Sequence, residues 1–174
     1  TYDALGRVKS IKYPDNETVA YTYDTGGNLS AVGGYATFPD AAYDALGQPG
    51  RISYGNGVLT TLLYNDSANS RLSEISTTSP VDGLLQHYGY LYDENGNITA
   101  IADSVDPAKN QTFLYDLLNR MTQASTGNSP QIDLTYSRTG NITKNTRVGA
   151  STWEYWSPAH PSAVKTAGTN SYTY

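Results

Sequence analysis

A tyrosine followed by a turn-forming residue returns along this 174-residue chain at Tyr2, Tyr23, Tyr43, Tyr64, Tyr92, Tyr115, Tyr136, Tyr155 and Tyr174. The intervals run from 19 to 28 residues, and their mean of roughly 21.5 falls where a fixed period marks a repeat architecture rather than one folded motif. An interval of that size holds two strands of about five to six residues and two short turns. The chain is therefore built from about eight copies of a hairpin-sized unit, and whatever it folds into must stack those copies.

The unit reads Tyr-Asp-x-x-Gly-(Asn or Arg)-apolar-(Ser or Thr), clearest in YDALGRVKS from Tyr2, YDTGGNLS from Tyr23 and YDENGNIT from Tyr92. Aspartate in the first turn position accepts a hydrogen bond from the backbone N–H two residues on, and glycine in the fourth takes positive φ without steric cost. Together they predict a type I turn closed by a glycine bulge, which joins antiparallel strands. The predicted turn pairs are Asp3 with Gly6, Asp24 with Gly27, Asp44 with Gly47 and Asp93 with Gly96. Asp116 is followed by Asn119, the next-best residue for the left-handed region, and Ser137 replaces aspartate ahead of Gly140.

Strand signals flank each turn. Ile132, Leu134 and Tyr136 share one face, and Tyr21 with Tyr23, Phe113 with Tyr115 and Trp153 with Tyr155 repeat this period of two. An apolar residue opens each return strand (Val8, Leu29, Leu72, Ile98, Met121, Ile142). A second apolar position three residues later (Ile11, Val32, Ile75, Ile101) breaks the alternation and predicts a bulge or strong twist. The helix candidates, around 105–109 and 65–71, are short, and the first contains Pro107. The long interval from Tyr64 to Tyr92 contains Thr77-Thr78-Ser79-Pro80 and Asp82-Gly83, which predicts a surface loop. Trp156-Ser157-Pro158 predicts an edge or irregular turn. The expected fold class is all-β, with repeated antiparallel hairpins and essentially no helix.

Composition agrees and narrows the function. Sixteen Tyr and 16 Gly against 2 Phe suit pleated strands and frequent turns. Eleven Lys and Arg against 16 Asp and Glu give a net charge of −5, the wrong sign for a nucleic-acid surface. No apolar run approaches the 18 or so residues of a membrane helix. The absence of Cys removes disulfides, thiolate metal sites and cysteine nucleophiles.

These units resemble the YD repeats (Rhs repeats) of bacterial Rhs polymorphic toxins, the C components of insecticidal toxin complexes, and teneurins. The resemblance runs through nearly the whole chain, and residues 160–174 look like the last repeats before the core segment of Rhs-type polypeptides. It implies a curved, spiralling strip of a hollow β-sheet shell, of which residues 1–174 are a single segment and a fragment of a longer array. It also implies an exported bacterial protein, secreted or at the cell surface, whose shell encloses a C-terminal toxin or effector domain. The implied partners are flanking YD repeats of the same polypeptide, the enclosed domain and a secretion or toxin-complex component. An extracellular adhesion or carbohydrate-binding module is the alternative that the same family allows. The family's self-cleavage aspartates lie in a DPxGxxxD-like core motif. Here the sole Asp-Pro, Asp106-Pro107, is followed by Ala108-Lys109, so no catalytic residue carries over.

The remaining chemistry reads as scaffold. Asp3, Asp24, Asp44, Asp93 and Asp116 occupy one recurring turn slot, as a structural device would. His87 and His160 stand 73 positions apart with no nucleophile motif beside either. Residues 93–97 have the outline of a calcium loop, yet Gly96 stands at the fourth place and no bidentate Glu follows at the twelfth. Asn28, Asn97 and Asn141 begin Asn-x-Ser/Thr sequons only because the repeat's turn has that composition. The expectation is a non-enzymatic structural segment without cofactor, metal or glycan. In it, Tyr2, Tyr23, Tyr43, Tyr64, Tyr92, Tyr115, Tyr136 and Tyr155 pack on neighbouring repeats.

Overall fold

The computed structural model describes residues 1–39, 42–65, 69–149, 153–155 and 160–173. The marker Tyr174, the turn at 156–158 and the middle of the 65–71 segment lie outside the described residues. The fold is all-β: strands β1 to β13 follow one another in chain order through a long antiparallel sheet. The chain groups into two compact units, Thr1–Gly89 and Tyr90–Tyr174.

The first unit contains β1 (Ser10–Lys12), β2 (Thr18–Tyr23), β3 (Leu29–Val32), β4 (Ala36–Thr37), β5 (Arg51–Tyr54), β6 (Leu59–Asn65), β7 (Arg71–Ser79) and most of β8 (Gly83–Tyr92). The second contains β9 (Ile98–Asp103), β10 (Gln111–Tyr115), β11 (Met121–Thr126), β12 (Ile132–Tyr136) and β13 (Ile142–Asn145). A three-stranded sheet follows: β14 (Glu154–Tyr155), β15 (Val164–Ala167) and β16 (Asn170–Ser171). The one helical element among the described residues is the 3-10 turn Pro107–Lys109, seated on Asp106 as its cap.

The broken alternation of the return strands has a definite cause. Tyr23 faces Leu29 while Thr22 faces Ala31, so Ser30 is an extra residue with no opposite number. The same slip leaves Ser73, Thr122 and Thr143 over in β7, β11 and β13. One bulged residue turns the rest of the strand over, so apolar residues three apart land on the same face. Leu29 and Val32 thus both lie opposite the tyrosines Tyr23 and Tyr21.

The loop expected between Tyr64 and Tyr92 is instead a long hairpin. Strands β7 and β8 run 9 and 10 residues and stay paired out to Ser79 and Gly83. Thr77, Thr78 and Ser79 are strand-compatible, and the turn needs only the residues between Ser79 and Gly83. There the Ser79 hydroxyl accepts from the N–H groups of Val81 and Asp82, and Gly83 adopts φ 74°.

Neither unit has a deep core. Val19, Ala42, Ala124, Leu134 and Ala167 are the buried hydrophobic residues, and among the described residues no large side chain is fully buried. The chain exposes 11565 Å², against about 8,300 Å² for a compact monomer of its mass. Burial is one-sided. Val19, Ala124 and Leu134 share the face of the repeat tyrosines, while Leu63, Leu91 and Leu114, each one residue before such a tyrosine, are about half exposed or more on the other.

Candidate functional site: the tyrosine–turn module

Each turn is built around its aspartate. In the first, the Gly6 N–H donates to the Asp3 carbonyl at 3.1 Å and the Asp3 N–H donates to the Arg7 carbonyl at 2.9 Å. The turns headed by Asp24, Asp44, Asp93, Asp116 and Ser137 repeat both bonds. Gly6, Gly27, Gly47, Gly96 and Gly140 take φ between 76° and 92°, and Asn119 takes 59° in the same slot. The Asp3 Oδ1 accepts from the N–H groups of Leu5 and Arg7, both at 2.9 Å, and Asp44 and Asp116 do likewise.

The residue after the glycine then completes the carboxylate. Arg7 and Arg120 donate Nε to Oδ2 of Asp3 and Asp116 at 2.7 Å, and Asn28 and Asn97 do so with Nδ2 for Asp24 and Asp93 at 3.1 and 2.8 Å. These donors hold the aspartates below the ordinary carboxylate range. The leading cause is the Arg7 backbone bond for Asp3, the side-chain bond from Asn28 and Asn97 for Asp24 and Asp93, and that from Arg120 for Asp116.

This position also reaches onward to later modules. The Arg7 guanidinium lies 4.1 Å from the centre of the Tyr23 ring, and that of Arg120 lies 4.5 Å from Tyr136. Gln48 donates to the Ser70 carbonyl, Asn97 to Asn119 Oδ1 and Asn141 to the Pro161 carbonyl. The Asn-or-Arg slot is visible in the sequence, but its task is not. The clue is that Arg, Asn and Gln share an N–H donor able to serve two acceptors. A second set of turns also escaped notice: Tyr13 to Glu17 and Tyr54 to Val58 close with the same bond pair, with Asn16 and Gly57 at positive φ.

The tyrosines link module to module. Tyr23, Tyr43 and Tyr64 donate their hydroxyls to the carbonyls of Val8, Leu29 and Pro49 at 2.8, 2.8 and 3.1 Å. In the second unit Tyr115, Tyr136 and Tyr155 donate to Ile98, Met121 and Ile142 at 2.8, 2.7 and 2.7 Å. The acceptor is always the residue six places after the preceding repeat tyrosine. Burial pushes up the phenols of Tyr43, Tyr64, Tyr115 and Tyr155, and for the first three the aspartate of the preceding turn adds to the effect. Tyr2 faces Val8 across an isolated bridge and is 71% exposed. Tyr92 ends β8 and leads into the 93–97 turn.

His87 Nε2 lies 2.9 Å from Glu74 Oε1 as a cross-strand pair. Among the described residues, no group of three or more His, Asp or Glu is placed to hold a metal ion. Across the described residues the turn geometry repeats one construction.

A family model described as the RHS repeat matches residues 2–34, a span that holds the first two tyrosine–turn modules. The chain carries the RHS repeat in those two modules. Toxin subunit YenC1 of Yersinia entomophaga is 29% identical over 139 residues, covering 71% of this chain and 14% of that protein. Among solved structures, the Photorhabdus luminescens Tc holotoxin pore superposes with a TM-score of 0.70 at 23% identity, over 88% of this chain. A TcdB2-TccC3-Cdc42 crystal structure gives 0.71 at 25% identity over 83%. The chain spans 9% of either solved chain and 14% of YenC1.

Proposed function

We propose that this chain is wall material: a non-enzymatic segment of a toxin-complex-like shell that encloses a C-terminal toxin or effector domain of an exported bacterial protein. The observation that carries the proposal is the sixfold link from a repeat tyrosine to the backbone carbonyl of the preceding module, three links in each unit. A wall one sheet thick cannot rely on a layered core, so its modules must hold one another directly. The singled-out polar groups are committed to that task. Aspartates close turns, their Arg and Asn partners reach later turns, and the tyrosine hydroxyls bind backbone. Half-buried rings so engaged, two of them with a guanidinium over one face, support packing over a platform for stacking sugars. The likeness to YenC1 and to TcdB2-TccC3 structures supports flanking repeats and toxin-complex components as partners.

Limited proteolysis of the full-length natural polypeptide tests this. The domain C-terminal to the repeats should resist a protease that digests it readily once expressed alone. Tyr115→Ala together with Tyr136→Ala should expose it. A C-terminal domain cut equally fast in both settings would refute containment.

A further inference from the structure

Away from the repeat turns, the first unit contains a cleft of about 530 Å³ whose lining includes Tyr13, Tyr21, Tyr35, Asp15, Glu17 and Val19. Three of these six are electron-rich rings, two are carboxylates, and none of the described lining residues is basic. Lys12 precedes Tyr13 in the chain, but it continues β1, where successive side chains alternate between faces. We propose that this cleft binds a small free alkylammonium ligand, a quaternary or protonated amine, with the tyrosine rings around the cation and Glu17 and Asp15 as its counter-charge.

The local structure prepares the site. Val19, 5% exposed, supplies an apolar floor. Tyr13 and Glu17 are brought together by their own turn: the Tyr13 N–H donates to the Glu17 carbonyl at 2.8 Å, and Asn16 takes φ 72°. The Asp15 carboxylate accepts the Glu17 N–H at 3.0 Å, which fixes both acids on one short arc. The Tyr35 hydroxyl donates a hydrogen bond to Glu17 Oε1. That bond restrains one ring and one carboxylate before any ligand arrives. The Tyr35 phenol is pushed up, first by its bond to Glu17, then by burial and by the charges of Glu17 and Asp15, as expected where the local potential is negative.

Ligand chemistry follows from that inventory. An anion would meet two carboxylates and no cation. A neutral apolar ligand would gain the rings but nothing from the carboxylates. An ammonium group gains both, because ring faces carry negative quadrupole and a weakly hydrated cation is cheaply desolvated against them. The volume lies within the range of small-ligand sites. Occupancy of this cleft is independent of containment and would survive the failure of the wall reading.

Choline and its neutral isostere 3,3-dimethylbutan-1-ol, titrated into the whole chain by NMR, separate charge from shape. Choline should shift the Tyr13, Tyr21 and Tyr35 ring resonances saturably, with the isostere about tenfold weaker. Tyr35→Ala should abolish the response, and Glu17→Gln should weaken it several-fold with the strand circular dichroism unchanged. Tyr35→Phe keeps the ring and should retain most of the binding, which separates loss of the cage from loss of the fold. Equal affinity for choline and the isostere, or no saturable response at those three tyrosines, would overturn the proposal. So would co-sedimentation with phosphatidylcholine vesicles by a protein indifferent to free choline.

Discussion

Removing one hydroxyl from the tyrosine ladder tests its energetic role most directly. Tyr115→Phe keeps the ring on its face of β10 and deletes the 2.8 Å bond to the Ile98 carbonyl. A typical intramolecular hydrogen bond contributes about 1 kcal/mol net, and an acceptor left dry costs about 1–3 kcal/mol. The site is only half buried, so water reaches the orphaned carbonyl in part, and the loss should fall at about 1–1.5 kcal/mol. In a chain of this size that lowers Tm by roughly 3–5 °C. Tyr54→Phe is the control, because Tyr54 lies outside the repeat positions and is 40% exposed; it should change stability by less than about 0.5 kcal/mol. Urea denaturation at constant m-value measures both. Hydrogen exchange should place the Tyr115→Phe loss in β9 to β11, since repeat arrays open locally. If Tyr115→Phe matched the control, the hydroxyl links would be incidental and ring packing alone would hold the modules.

The other expectations are shorter. Gly96→Val forces a β-branched residue to φ 92° and should cost about 1–3 kcal/mol in the same urea assay. Gly127→Ala would drive a Cβ into the Ala108 carbonyl, so it should destabilise more than Gly83→Ala, where the new Cβ meets open space; thermal melts rank the two. Stability should fall above pH 10, because the phenols of Tyr43, Tyr64, Tyr115 and Tyr155 are raised from an ordinary value of 10.0. The folded state therefore holds protons that the unfolded chain releases first, and the ladder's contribution is full below pH 10 and lost as pH passes the folded values. At the acid end, Asp3, Asp24, Asp93 and Asp116 are lowered from 3.8. Their contribution is present above that value and disappears as pH falls through the folded ones, which an acid titration followed by circular dichroism would show.

What was legible in the sequence was what short-range chemistry determines. Asp-x-x-Gly names its turn because the hydrogen bonds that define it close within five residues, and Ser137 and Asn119 fit because they satisfy the same bonds. The bulge was legible only as an anomaly, Leu29 and Val32 falling out of step; locating it at Ser30 required the opposite strand. The hairpin of β7 and β8 was misread because Pro80 and Gly83 flag a turn without saying how far the strands flanking it stay paired. The onward reach of Arg7 and Asn97 was hidden for a different reason. Its targets, Tyr23 and Asn119, lie 16 and 22 residues away, and only stacking brings them within reach.

At Tyr43, Tyr136 and Tyr155 the preference for tyrosine over phenylalanine follows from the bulge. A bulge disrupts the strand ladder where it occurs, and a half-buried backbone acceptor left without a partner is costly. Leu29, Met121 and Ile142 stand immediately before the extra residues Ser30, Thr122 and Thr143, and each of their carbonyls receives the hydroxyl of the next repeat tyrosine. The extra residue aligns two apolar side chains on the sheltered face and disturbs the pairing of the backbone beside it. The next tyrosine caps that backbone with its hydroxyl, which phenylalanine could not do. Ring burial alone is non-directional and would let a module slide along its neighbour. A hydroxyl aimed at one carbonyl, always six residues past the preceding tyrosine, fixes the register between modules. In a sheet without a second layer to hold it, that register must come from within the repeat itself.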